Sequence, residues 1–138
     1  MRVLLRVTDS LGIKVIIWLP LLFTAVSASL SGTWRNELNS TMTLKPCDGG
    51  LFSGWYTSGV GHAEGEYFLS GVCDSDGNSV AFAISWYNDD RNAHSATAWS
   101  GHLVGDSLYT TWTLSKGVSS AQDLWESTLV GTDIFRKQ

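Results

Sequence analysis

"RNAHSATAWSGH", residues Arg91 to His102, alternates like a strand but sorts its side chains unusually. On a pleated strand neighbours face opposite sides, so Ala93, Ser95, Thr97 and Trp99 share one face while His94, Ala96, Ala98 and Ser100 share the other. If the Trp99 ring marks the interior, two hydroxyls lie inside with it. On either side of this strand, read as 94–103, the chain carries further short alternating runs at 32–38, 41–45, 51–57, 66–73, 79–87, 107–114 and 125–135. The segments between them, "NS", "PCDGG", "VGHAEG", "DSDGN", "NDDRN", "VGD" and "SKGVSSAQD", are rich in the residues that make turns. No stretch holds apolar residues at helical spacing over three turns, and only "SSAQDLW" offers a helical turn. Sequential antiparallel strands of this kind can close on themselves, which removes exposed edges. The expected fold is all-β, an eight-stranded antiparallel up-and-down β-barrel, whose interior has room for side chains or one small ligand.

The barrel occupies residues 29–138. Residues 1–28 carry Arg2, Arg6 and Lys14, then the apolar run "VIIWLPLLFTAV", then small residues ending at Ala28, the layout of a secretory signal peptide. The alternative, a retained membrane anchor, needs about 20 apolar residues, and this run falls short. Cleavage after Ala28 makes the expected localisation extracellular, or periplasmic in a bacterium. The remaining 110 residues hold six Lys and Arg against twelve Asp and Glu, a net charge of −6. Six scattered cations form no basic patch, which argues against a nucleic-acid partner. Cys47 and Cys73 are the only cysteines, and in an exported chain an even pair reads most simply as a disulfide, two unpaired thiols being the alternative.

Every second residue of each run gives the lining. The first run presents Trp34, Asn36, Leu38 and then Ser40; the third presents Phe52, Gly54, Tyr56 and Ser58. The sixth presents Ser95, Thr97 and Trp99, the seventh Leu108, Thr110, Trp112 and Leu114, and the last Leu129, Gly131, Asp133 and Phe135. Each inward face is partly apolar and partly polar. A barrel filled by its own side chains has no use for so many inward hydroxyls, amides and a carboxylate, since each unpaired buried polar group costs about 1–3 kcal/mol. The lining calls for a small flat ligand held between Trp86, Trp99 and Trp112, with a compact polar head. Asn36, Ser40 and Tyr56 can donate to that head, while an ionised Asp133 can only accept. An amide or a urea satisfies both demands.

These residues sit in stretches that resemble a known family. "SGTWRNELNSTMTL", "SGWYTSGVGHAE", "WYNDDRNAHSATAWSGHLVG", "TTWTL" and "LWESTLVGTDIF" closely resemble the avidin and streptavidin family of biotin-binding proteins, its streptavidin branch most of all. The resemblance runs from about Leu30 to Phe135. It implies high-affinity, non-catalytic binding of biotin in the open end of the barrel, sequestering the vitamin, with biotin as a ligand and no cofactor or metal. It further implies that Asn36, Ser40 and Tyr56 hold the ureido oxygen and that Ser58 and Asp133 take the two ureido N–H groups. Thr97 then faces the thioether sulfur and Ser95 the valerate carboxylate. Trp86, Trp99 and Trp112 form walls, with Leu38, Val60 and Leu114 beside them, and Val60 to Gly65, including Gly61 and His62, form a lid. Trp125 reaches into a neighbouring subunit's pocket, which makes a homotetramer part of the implication. His62 and Thr132 depart from the family pattern, which has an asparagine and a subunit-interface histidine there. Cys47 and Cys73 fall at the barrel end away from the ligand mouth, so their bridge is structural.

Other features read more plainly. "DSDGN", Asp74 to Asn78, lacks the further ligands of a calcium loop and reads as a tight hairpin. His62, His94 and His102 have no metal-ligand spacing, and the last two face outward. "NST" at Asn39 fits a glycosylation acceptor in a secreted eukaryotic protein. A secreted glycosidase needs two inward carboxylates, and only Asp133 faces in. A lipocalin-like carrier of another apolar or sugar ligand suits the barrel but does not need three donors opposed to one carboxylate.

Overall fold

The computed structural model describes residues 29–61, 63–87 and 94–138 in full, together with the backbone of two strands nearer the N-terminus. Those strands, β1 (Val3–Thr8) and β2 (Lys14–Leu19), pair antiparallel in a two-stranded sheet of their own, with Val3 opposite Leu19. They lie in the segment read as a leader and take no part in the barrel ladder. The turn "NDDRN", Ala93 and His62 fall outside the described residues.

The barrel itself comprises β3 (Gly32–Arg35), β4 (Thr41–Leu44), β5 (Leu51–Thr57), β6 (Glu66–Cys73), β7 (Ser79–Trp86), β8 (Ser95–Val104), β9 (Ser107–Lys116) and β10 (Thr128–Lys137). Each pairs antiparallel with the next, and β10 closes against β3 through Arg136 opposite Arg35 and Lys137 opposite Trp34. This is the eight-stranded closed barrel that the alternation predicts. Burial alternates along the strands as a one-sided core requires, most regularly on β7 and β8.

Several boundaries shift by one or two residues from the sequence reading, and two shift by three, each for a local cause. The first barrel strand stops at Arg35 instead of running to 38, because the Asn36 carboxamide oxygen accepts the backbone N–H groups of Leu38 (3.1 Å) and Ser40 (2.8 Å). An Asn side chain that mimics the backbone in this way turns the chain, and Asn39 takes the left-handed conformation, φ 62°, that completes the turn. The last strand begins at Thr128 and not at 125, because Ala121–Glu126 form a 3₁₀ turn. That turn overlaps the stretch "SSAQDLW", extending one residue beyond it, and is capped by Ser120, whose hydroxyl accepts from Gln122 N–H.

The core fills the end of the barrel where Leu30 enters. Trp34 is fully buried there, its indole N–H donating to the Leu30 carbonyl at 2.9 Å, and Phe52, Phe82, Leu108 and Phe135 belong to the same buried cluster. Phe82 stacks on Trp99, ring centroids 5.1 Å apart and planes 8° from parallel, so the core merges into the floor of the space above. Cys47 and Cys73 are joined in a disulfide near this closed end. "DSDGN" is a hairpin turn: the Asp74 carboxylate accepts the N–H groups of Asn78 and Ser79, which holds its acid below the usual carboxylate range, and Gly77 adopts φ 70°.

Candidate functional site

Above that core the barrel opens into a cavity of about 410 Å³, within the range of small-molecule sites. The strands deliver its lining by parity. Asn36, Ser40, Tyr56, Ser58 and Asp133 bring polar groups to it; Trp86, Trp99 and Trp112 form aromatic walls; Leu38, Val60 and Leu114 add aliphatic surface; Ser95 and Thr97 stand on β8. Gly61 lies in the same lining, while His62 lies outside the described residues. Trp125 stands away from this cavity on the 3₁₀ turn, 82% exposed. The cysteines do not line it.

Ala63, Lys116 and Leu129 also line the cavity; the sequence reading put Leu129 on the inward face and Ala63 within the Val60 to Gly65 loop but named none of the three as a ligand contact. Lys116 and Leu129 were within reach, since inward parity from Trp112 and Leu114 leads directly to Lys116, and Leu129 was already on the inward face of its strand. Ala63 lies in a loop, where no periodicity guides the eye.

Asp133 organises the polar end. Its side chain is buried, one carboxylate oxygen accepting from the Asn36 amide nitrogen at 3.2 Å and the other from the Trp99 indole N–H at 2.8 Å. Burial is the main influence on its acid and raises its pKa above the ordinary value. The nearby Glu37 charge adds to that rise, while the bonds from Trp99, Asn36 and Trp112 oppose it. Tyr56 is pushed up to about 12, chiefly by burial, with its bond to Ser40 working in the opposite direction. Its phenol therefore keeps its proton and remains a donor at neutral pH.

The expectation that these groups find no partner within the chain needs correction. Thr97 accepts the Trp86 indole N–H at 2.7 Å, Ser58 donates to the Val60 carbonyl at 2.7 Å, and Thr110 donates to the Asp133 carbonyl at 3.0 Å. Ser40 accepts the Gly59 N–H at 3.0 Å. An interior network is cheaper when mutually satisfied, and these bonds hold the side chains in fixed orientations. Capacity is left over all the same: each carboxylate oxygen has a second acceptor site, the Asn36 amide a second hydrogen, and the hydroxyls further lone pairs. Among the described residues no group of three His, Cys, Asp or Glu is placed to hold a metal ion.

A closed eight-stranded barrel, sealed by aromatic packing at one end and open at the other into a cavity of ligand size, is a small-molecule-binding scaffold. The family model described as the avidin family matches residues 24–138. Afifavidin of Afifella pfennigii is 32% identical over 114 residues, covering 78% of this chain and 68% of that protein. Avidin of Gallus gallus is 27% identical over 150 residues, covering 97% of this chain and 96% of its own length. Fibropellin-1 of Strongylocentrotus purpuratus is 33% identical over 109 residues, 75% of this chain but 10% of that much longer protein. The chain belongs to the avidin family.

Proposed function

We propose that the protein binds biotin without catalysis, as an exported homotetramer that sequesters the vitamin. One arrangement carries the reading: a buried carboxylate acceptor, Asp133, beside the donors Asn36, Ser40 and Tyr56 at the inner end of an aromatic-walled cavity, in a chain of the avidin family. A cyclic urea matches that arrangement. Its carbonyl oxygen takes the three donors, while its N–H groups go to Asp133 and Ser58. Asp133 polarises the urea through a charge-assisted bond, which strengthens the bonds at the oxygen. Trp86, Trp99 and Trp112 cover the fused rings, Thr97 faces the thioether and Ser95 the carboxylate of the tail. Residues 1–28 serve as the leader, and the Cys47–Cys73 bridge suits the oxidising destination.

Titration with biotin, followed by tryptophan fluorescence and by calorimetry, tests this directly. Saturable one-to-one binding per chain is the expected result, accompanied by a rise in melting temperature with ligand concentration. Heat and fluorescence that ignore biotin, or displacement of biotin by a fatty acid or a simple sugar at equal concentration, would overturn it.

A further inference from the structure

Among the described residues, two that line the cavity carry charge: Asp133 at its polar inner end and Lys116 at its rim. The ladder fixes that separation. On β8 and β9, three successive rungs of the inward face pair Trp99 with Trp112, Thr97 with Leu114, and Ser95 with Lys116. Same-face rungs lie about 6.6–6.8 Å apart, so the lining passes from aromatic to aliphatic and ends, at the mouth, in a hydroxyl and an ammonium. Directly opposed residues hold their Cβ atoms about 4.5–5.5 Å apart, which puts the Ser95 hydroxyl and the Lys116 stem on one patch of rim. Lys116 is the last residue of β9, and its backbone N–H donates to the Ser127 carbonyl at 2.8 Å, anchoring the root of the side chain. Among the described residues its ammonium makes no ion pair or hydrogen bond. Among the described residues, none of the others lining the cavity near the rim is acidic.

The cavity is therefore dipolar, with an acceptor for N–H groups at the inner end and a cation at the mouth. A hydroxyl such as that of Ser95 serves a carboxylate or an amide alike. An ammonium does not, because only the carboxylate returns a full charge. We propose that Lys116 selects ligands whose tail ends in a free carboxylate over the same ring system with an amidated tail, so that the pocket favours free biotin over biotin coupled through an amide. This rests on the biotin reading of the inner end.

Competition between biotin and biotinamide, which share the rings and differ in tail charge, provides the test on wild-type protein, Lys116→Gln and Lys116→Glu. Lys116→Gln is expected to cut the preference for biotin over biotinamide by about 2- to 5-fold, the size of an exposed ion pair. Lys116→Glu is expected to cut it further, and the difference between wild type and both variants is expected to shrink in about 1 M salt, where such pairs are screened. A biotin-to-biotinamide ratio identical in all three proteins, or losses shared equally by both ligands, overturns the role of Lys116 and leaves the biotin reading standing. Wild-type protein that binds neither ligand overturns the biotin reading, and this inference with it.

Discussion

Asp133 shows how much one buried side chain can decide. The residue is only 4% exposed, and its carboxylate accepts from two donors, Asn36 and Trp99, that are themselves part of the cavity wall. Replacing it by alanine removes a charge-assisted acceptor worth about 1.5–3 kcal/mol, so Asp133→Ala is expected to weaken biotin binding by about 10- to 150-fold. The fold should survive, since the cavity is open and water can reach the two orphaned donors; circular dichroism and the biotin off-rate measure the two effects separately. The pH dependence has a definite sign. Because burial raises the pKa of Asp133, the ionised form costs more in the folded chain than in the unfolded one. The contribution of this group to ligand-free stability therefore declines as pH rises from the ordinary carboxylate value through the raised one. Biotin affinity runs the other way, since only the carboxylate accepts both ways: it should fall as pH drops, starting above the ordinary carboxylate range. Off-rates from about pH 8 to about pH 4 check this, with Asp133→Asn expected to be flat over the same interval. Tyr56, held protonated, contributes nothing to that profile at neutral pH.

At the scale of elements, parity along β8, β9 and β10 places side chains so closely that a single methyl group is felt. Gly131 pairs with Trp112 across the β9–β10 ladder, and a Cβ at that position would collide with the indole. Gly131→Ala is therefore expected to displace the Trp112 wall, destabilising the barrel by about 1–3 kcal/mol and speeding biotin release. Urea denaturation and off-rates provide the measurements; a variant matching wild type in both would show that the wall yields without consequence. The strands were legible because alternation and turn chemistry agree along most of the chain, as they do from Ser79 to Val104. What was not legible depends on contacts between distant residues. The end of β3 at Arg35 is set by one Asn36 side chain choosing backbone partners, and a two-residue pattern does not reveal that choice. The bond from Trp99 to Asp133 joins residues 34 apart, so the sequence supplied both members of the site without their pairing. The pairing of β1 with β2 was hidden for a different reason: a charged head followed by an apolar run has the composition of a leader whatever backbone it adopts.

For the whole molecule, the unresolved demand is on the surface. Trp125 is held on an ordered 3₁₀ turn, with the Ser127 hydroxyl donating to the Leu124 carbonyl at 2.8 Å, yet its ring points into solvent beside an exposed Leu124. Covering a large apolar side chain contributes about 1.5–3 kcal/mol, which a single barrel leaves unused. The outward face of β8 to β10 adds to the demand, because Val104, Tyr109 and Val130 are also exposed there. In the proposed tetramer a second copy of the chain would answer both, with Trp125 closing the cavity mouth of its neighbour. Association and ligand retention then depend on the same side chain, and Trp125→Ala should alter both. Multi-angle light scattering is expected to show smaller species on dilution than wild type gives at the same concentration. The biotin off-rate should rise in parallel, while a wild-type mass at low concentration combined with a faster off-rate would assign Trp125 to the ligand alone. If mass and off-rate both match wild type, the ring serves neither purpose, and the exchange of Trp125 between subunits must be abandoned.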